Sequence, residues 1–322
     1  MAPGLNIRAL LDRALRPLTD RLDRAEQRAV AAERRLEQLQ AALGRVEARQ
    51  LGAAAPSASG PLAAHEFRAF SQWGEDGIIQ WLVREVEVGP KIFVEFGVED
   101  YTEANTRFLV ERDNWTGLVI DGGRENVERV RASAVCWRHN LRAVQAFVTR
   151  DNINALIKGE GIEGDIGLLS VDIDGNDYWV WEAIEVVRPS IVVAEYNHRF
   201  GAELAVTIPY DEGFRRGGRH PVHYFGASLR ALCLLGARKG YAFVGCNANG
   251  VNAFFVRREL LPAGVRELTA AEGYVAGTFT ESRDGRGLFV PADAGRERLE
   301  LLRLPLVTVG EAGGAGAAEE GS

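Results

Sequence analysis

Between residues 91 and 196 the chain repeats one unit, a short apolar run that stops at a glycine or an acid and is followed by residues that suit a helix. KIFVEFG (91–97), GLVID (117–121), GLLSVDI (167–173) and SIVVAEY (190–196) are the clearest runs. Such short, continuous apolar runs read as strands buried on both faces. Helical segments are expected over 105–112, 125–132 and 178–187, and a short one through Lys158 capped by Thr149. The stretch VCWRHNLRAVQAFV must hold a further strand, and Arg188–Pro189 marks the break after the 178–187 helix, because proline disfavours a helical residue before it. Farther on, SLRALCLLGARKG reads as a helix stopped by Gly240, and YAFVGC and VNAFFVR flank NANG. Asn–Gly between two apolar runs is a hairpin turn. The fold class is therefore α/β, a mostly parallel sheet covered on both faces and ending in an antiparallel hairpin.

The flanks differ in kind. Apolar residues at Leu11, Leu15, Leu18, Leu22, Ala25, Ala29, Ala32, Leu36, Leu39, Leu43 and Val46 alternate spacings of four and three without a break. That period holds a seam toward a partner helix, so residues 1–50 read as a coiled-coil helix that starts near Pro17 and self-associates through 11–46. A single solvated helix, or one folded back on its own domain, is the competing reading. LGAAAPSASGPLAA (51–64) has linker composition, and 309–322 is expected to be a disordered tail. Function is expected in a domain over 65–308.

Composition excludes several classes. Net charge is −7, and the basic residues are 35 arginines and three lysines spread along the chain, which does not suit a nucleic-acid binder. No run approaches the 18 apolar residues of a membrane span, and the charged N-terminus does not resemble a secretion signal. Three scattered cysteines fit neither a disulfide framework nor a zinc site, so the expected compartment is the cytoplasm.

Ligands of open α/β sheets bind beyond the carboxyl ends of the strands. Here those ends carry Glu95, Gly97, Glu99, Asp100 and Asn105; Asp121; Asp172, Asp174, Asn176 and Asp177; and Glu195, Asn197 and His198. For any one acid a cap or turn role is an equal reading. Asp121 ends the second strand, where a carboxylate can accept both hydroxyls of an adenosine ribose. GVEDYTEAN places carboxylates where a dinucleotide pyrophosphate would lie, which favours a cationic cofactor. Asp172, Asp174 and Asp177 form a hard-oxygen cluster, but without an EF-hand spacing no metal is assigned to it.

The strand order and these residues resemble class I, Rossmann-like S-adenosylmethionine methyltransferases, and residues 70–256 resemble the FkbM-like family. SQWGEDGII (71–79) resembles its S-Q-x-G-E-D segment, NWTGLVIDG its second strand, and LLSVDIDGNDYWVW its D-h-[DE]-G-x-[DE] motif. Where related loops carry glycines at alternate positions after the first strand, this one has Glu99 and Tyr101 after Gly97. The resemblance implies S-adenosylmethionine (SAM) as cofactor, with Gln72, Glu75, Glu95, Gly97, Glu99, Asn105, Asp121 and Asp172 on its side of the site. It also implies a sugar or glycan-type hydroxyl as acceptor. Proton removal from that hydroxyl falls to His198, or to Asp172 or Asp174. Arg215, Arg216 and Arg219 read as solvated, with contact to an anionic acceptor group as the alternative. Two further readings remain open: a non-catalytic scaffold on the same fold, and a metal-dependent transferase or hydrolase using the Asp172, Asp174 and Asp177 cluster.

Overall fold

A computed structural model describes residues 7–53, 60–277, 294–310 and 315–316. Its centre is a seven-stranded sheet built from β1 (Ile92–Phe96), β2 (Thr116–Asp121), β3 (Leu141–Gln145), β4 (Gly164–Val171), β5 (Val187–Glu195), β7 (Tyr241–Cys246) and β8 (Asn252–Arg257). Three short strands, β6 (Val206–Thr207), β9 (Val307–Val309) and β10 (Ala315–Gly316), form a separate small sheet. The large sheet runs β3-β2-β1-β4-β5-β8-β7, with β8 antiparallel to both β5 and β7. This is the class I methyltransferase topology expected from the sequence. The unassigned stretch supplies β3, and NANG makes the hairpin.

The strands form because nearly every residue in them is buried. Phe93, Val94, Leu168, Leu169, Ile191, Val192, Phe254 and Phe255 have no exposed surface. Helices then cover both faces, which separates the apolar side chains into two large clusters. At roughly 25 cal/mol per Å² of apolar area removed from water, these faces dominate the favourable side of folding. The 178–187 helix is shorter than expected: it spans Asp177–Ala183, and Pro189 lies inside β5. Pro189 is tolerated because pairing with β8 starts two residues later, at Ile191, so its missing amide costs no ladder bond on that side.

The N-terminal helix α1 (Ile7–Ala53) runs through Pro17 rather than starting near it. Its last turns do not stand apart from the domain. Ala41, Gly44 and Ala48 are buried, and the two alanines join Phe67, Ala69, Phe70 and Phe108 in one apolar cluster. Glu37 on the same stripe pairs with Arg107 at 3.1 Å, and the Leu51 carbonyl accepts from Arg84. The stripe works because its residues are small. A Cβ on Gly44 would lie 2.8 Å from Ala69 Cβ and 2.9 Å from the Phe108 ring. From Leu15 to Val46 the seam meanwhile stays exposed.

Of the expected linker, 54–59 lies outside the described residues, whereas Leu62–His65 forms a single 3-10 turn with Leu62 buried under β7. Within the expected tail, Val309 is buried in β9 and pairs with Ala315. The remaining tail residues, 311–314 and 317–322, lie outside the described residues. Among the described residues no helix is long and apolar enough to cross a membrane.

Candidate functional site

A cavity of about 570 Å³ opens at the carboxyl ends of β1, β2, β4 and β5. It is lined by Gln72, Glu95, Gly97, Glu99, Asn105, Asp121, Asp172, Asp174 and His198, all of which the sequence had singled out. Glu75 is the exception. It is fully buried beside the cavity, where one carboxylate oxygen accepts the Trp73 and Gly74 amides and the other accepts the Asn247 and Asn252 side chains. With both oxygens committed, Glu75 holds the start of α2 (Glu75–Glu85) to the β7–β8 hairpin and presents nothing to a ligand. Asp76 does similar work, accepting the Ala69, Phe70 and Ser71 amides at 2.7–2.8 Å. Burial pushes its carboxyl up to about 6 despite those bonds. The S-Q-x-G-E-D resemblance thus marks a rigid corner that leaves Gln72 at the cavity rim.

The loop after β1 has a distinctive backbone. Gly97, Glu99 and Tyr101 all have left-handed φ, at 69°, 47° and 64°. Alternate positions therefore turn as glycines would, although two carry side chains and each such residue costs on the order of 1 kcal/mol or more. Tyr101 takes no room from the cavity, since its ring is buried in the core and its hydroxyl meets Thr106 at 2.9 Å. At Gly97 no side chain fits, because a Cβ would sit 1.8 Å from the Asp172 carbonyl oxygen. Glu95 reaches forward to the start of α3 (Arg107–Asp113), accepting the Asn105 amide at 2.9 Å and both the amide and hydroxyl of Thr106. Burial still drives its carboxyl up to about 7.

At the end of β2, Asp121 accepts Glu99 N at 2.9 Å on one oxygen, and Gly123 N at 2.7 Å and Asn126 Nδ2 at 3.2 Å on the other. It joins the loops after β1 and β2 across the cavity floor.

The acids after β4 divide sharply. Asp177 is turned away from the cavity, and its two oxygens accept the Ile173 and Gly175 amides at 2.8 and 2.9 Å. It caps the turn, so the expected Asp172, Asp174 and Asp177 triad does not form. Instead Asp172 and Asp174 meet Glu195 from the end of β5, with one carboxylate oxygen of each within 4.8 Å of the others. Glu195 is 8% exposed, and its Oε2 is buried without a hydrogen-bond partner. Burial, and then the neighbouring carboxylates, hold Asp172 and Glu195 well above the usual carboxylate range.

Sequence reasoning missed Asn252 and read Arg215 and Arg216 as solvated, whereas all three line the cavity. Arg216 is not left to solvent: it pairs with Asp174 and stacks over Phe225 at 4.0 Å, while Arg215 lies over Phe147. Asn252 lines the cavity as the register partner of Glu195, and its Oδ1 is buried without a partner. The alternation of β8 could have placed Asn252, but only pairing with β5 puts it beside Glu195. Asn197 is a structural residue, holding the His223 and Phe225 carbonyls. His198 lines the cavity and packs on Gly277, where burial and then Arg199 lower its ring to about 4. It is neutral at physiological pH and a weak base.

No protein-family model matches the chain, and no curated protein does. Solved structures with some likeness include the N-terminal domain of EvdMO1 with S-adenosylhomocysteine (SAH) bound, at 11% identity and TM-score 0.38 over 58% of this chain and 80% of that one. An O-methyltransferase from Bacillus cereus in complex with SAH gives 12% and 0.37, over 56% and 78%. The plantazolicin methyltransferase BamL, in complex with a triazolic analogue and SAH, gives 10% and 0.38, over 57% and 84%.

Proposed function

We propose that the chain is a SAM-dependent O-methyltransferase of FkbM-like type, acting on a sugar or glycan-type hydroxyl. The observation that carries the reading is the cavity at four strand ends, floored by carboxylates and bounded by the left-handed loop at Gly97. Such a floor opposes a pyrophosphate but suits a ligand that brings a sulfonium, an ammonium and two ribose hydroxyls. SAM supplies an electrophilic methyl group when bound.

The residues then divide the work. Asp121 receives the ribose while bracing the loop that covers it, and Gln72, Glu95, Gly97, Glu99 and Asn105 shape the cofactor side. Asp172, Asp174 and His198 stand on the acceptor side. Methylating a hydroxyl requires alignment of its oxygen and removal of its proton. Asp172 is better suited than His198 to take that proton, because a ring lowered to about 4 has little affinity for it. The sequence has no N-P-P-[YF] segment of amino-group methylation, and the sugar class rests on the family resemblance. The same reading takes the protein as a cytoplasmic enzyme that self-associates through 11–46.

Calorimetry of the full chain with SAM and SAH is the test. Binding of one equivalent of either is expected, and binding of neither at millimolar concentration would remove the methyltransferase reading.

A further inference from the structure

The buried acids around the cavity are not equivalent. Asp76, Glu95, Asp121 and Asp177 each accept two or more backbone amides, which explains their burial. Glu195 has no such donor, and its neighbours are two more carboxylates, Asp172 and Asp174. On the adjacent strand Asn252, the register partner of Glu195, adds an independent sign: it lines the same cavity, its amide nitrogen is committed to Glu75, and its Oδ1 is buried without a partner. Like charges and orphaned oxygens gathered in one place call for positive charge. Arg216 supplies some on the outer side, through Asp174, whose side chain is 51% exposed.

We propose that Asp172, Asp174 and Glu195, with the Asn252 side-chain oxygen beside them, form a site for a divalent cation of the magnesium or manganese type. The donor set is all hard oxygen, which selects these ions over softer metals. Its role rests on the methyltransferase reading: the cation holds the acceptor oxygen and lowers its pKa. The O–CH3 bond then forms as the S–CH3 bond breaks, sulfur keeps the electron pair, and the hydroxyl proton passes to a carboxylate or to water. An acceptor with two adjacent hydroxyls, able to chelate the ion, fits best.

Binding itself is tested without turnover. Mn2+ alone is titrated into the full chain, followed by calorimetry and by the loss of free-Mn2+ electron paramagnetic resonance signal. One equivalent should bind below millimolar concentration and raise the melting temperature. Glu195→Gln and Asp172→Asn should weaken it at least ten-fold, Arg216→Ala should tighten it, and exposed Glu163→Gln should change nothing. Glu195→Gln should also melt higher than wild type in EDTA, which separates lost binding from lost folding. No binding at millimolar Mn2+, or binding indifferent to Glu195→Gln, overturns the site. SAH is titrated in parallel in EDTA, so that failure of the cation site and failure of the cofactor reading are separate results.

A second inference concerns α1 and rests on its charges. With the seam at the a and d positions of a heptad, the e positions are Asp12, Thr19, Glu26, Glu33, Gln40 and Glu47, and the g positions are Ala14, Arg21, Arg28, Arg35, Ala42 and Arg49. One flank is acidic and the other basic. In a parallel pair each g position faces the e position five residues on in the other chain, which sets Arg21 against Glu26 and Arg28 against Glu33. An antiparallel pair would set arginine against arginine and glutamate against glutamate. The residues docked on the domain, Glu37, Ala41, Gly44, Ala48 and Leu51, fall at b and f positions, on the opposite side of the helix. The domain therefore does not compete for the seam. We infer that a second copy of this chain occupies it, parallel and in register.

The readout is oxidative cross-linking of Leu22→Cys and, separately, Leu36→Cys, against the wild type with its three native cysteines. Each should give a covalent dimer far faster than wild type, at concentrations where light scattering reports dimer. A dimer that cross-links at neither position overturns the register, and a full chain that stays monomeric at the highest attainable concentration overturns the pairing.

Discussion

The Asp121 carboxylate accepts the Glu99 backbone amide at 2.9 Å, which fastens the end of β2 to a left-handed turn in the loop leaving β1. Asp121 is thus both a wall of the cavity and the brace of its loop. Asp121→Ala should weaken SAH binding by about 1.5–3 kcal/mol, the scale of hydrogen bonds to a charged acceptor. Calorimetry checks this, and normal SAH binding by the variant would take Asp121 out of the cofactor site.

Gly97 and Gly161 share a left-handed φ, at 69° and 71°, but not their surroundings. A Cβ at Gly97 meets the Asp172 carbonyl oxygen, whereas one at Gly161 meets nothing within 4 Å. Gly161→Ala should cost about 1 kcal/mol of backbone preference. Gly97→Ala should cost more than about 3 kcal/mol, because backbone must move. Urea unfolding of the two variants separates these costs, and equal midpoints would mean that the close approach of β1 and β4 is unimportant.

His198 should make the fold sensitive to acid. Its folded ring is lowered to about 4 by burial, while unfolded it titrates near 6.5. The unfolded chain therefore binds the extra proton, so the contribution is complete above pH 6.5 and is lost as pH falls through 4. Between those values wild type should lose about 2–3 kcal/mol more than His198→Asn. Parallel slopes for the two proteins would show that the ring is not held neutral.

At Gly44 the helix touches Ala69 and Phe108 with no room for a side chain. Gly44→Leu should lift the last turns of α1 off the domain and expose Phe67 and Phe70, read as faster amide hydrogen exchange over residues 67–70. Leu43→Ala, one residue away on the exposed seam, should leave that exchange unchanged. Unaltered exchange in Gly44→Leu would mean that the docking adds nothing to local stability.

Much of the sheet was legible because β1, β2, β4 and β5 each carry a short apolar run that closes on an acid or a glycine. Parallel burial leaves that pattern in a single sequence. What was not legible depended on partners far along the chain. Glu75 looks like a ligand-facing acid until Asn247 and Asn252 arrive from the hairpin more than 170 residues later. Asp177 and Glu195 carry the same functional group, and only the amides of Ile173 and Gly175 decide which is capped and which is left bare. The docking stripe of α1 was hidden because Ala41 and Ala48 look like solvated helix residues, and Gly44 like a weak point, until Phe108 lies against them.

That small-residue stripe has a mechanical consequence. α1 is 47 residues long, about 70 Å at 1.5 Å per residue, and its final turns are seated on the domain rather than hinged to it. Two chains zipped along their leucines would be two heads keyed to one shaft, with their cavities held at a fixed distance and angle. A lone monosaccharide would meet two independent sites. On the proposed reading of the acceptor as a glycan, a polymer with regularly repeated acceptors would meet a ruler, and its methylation pattern would record the spacing.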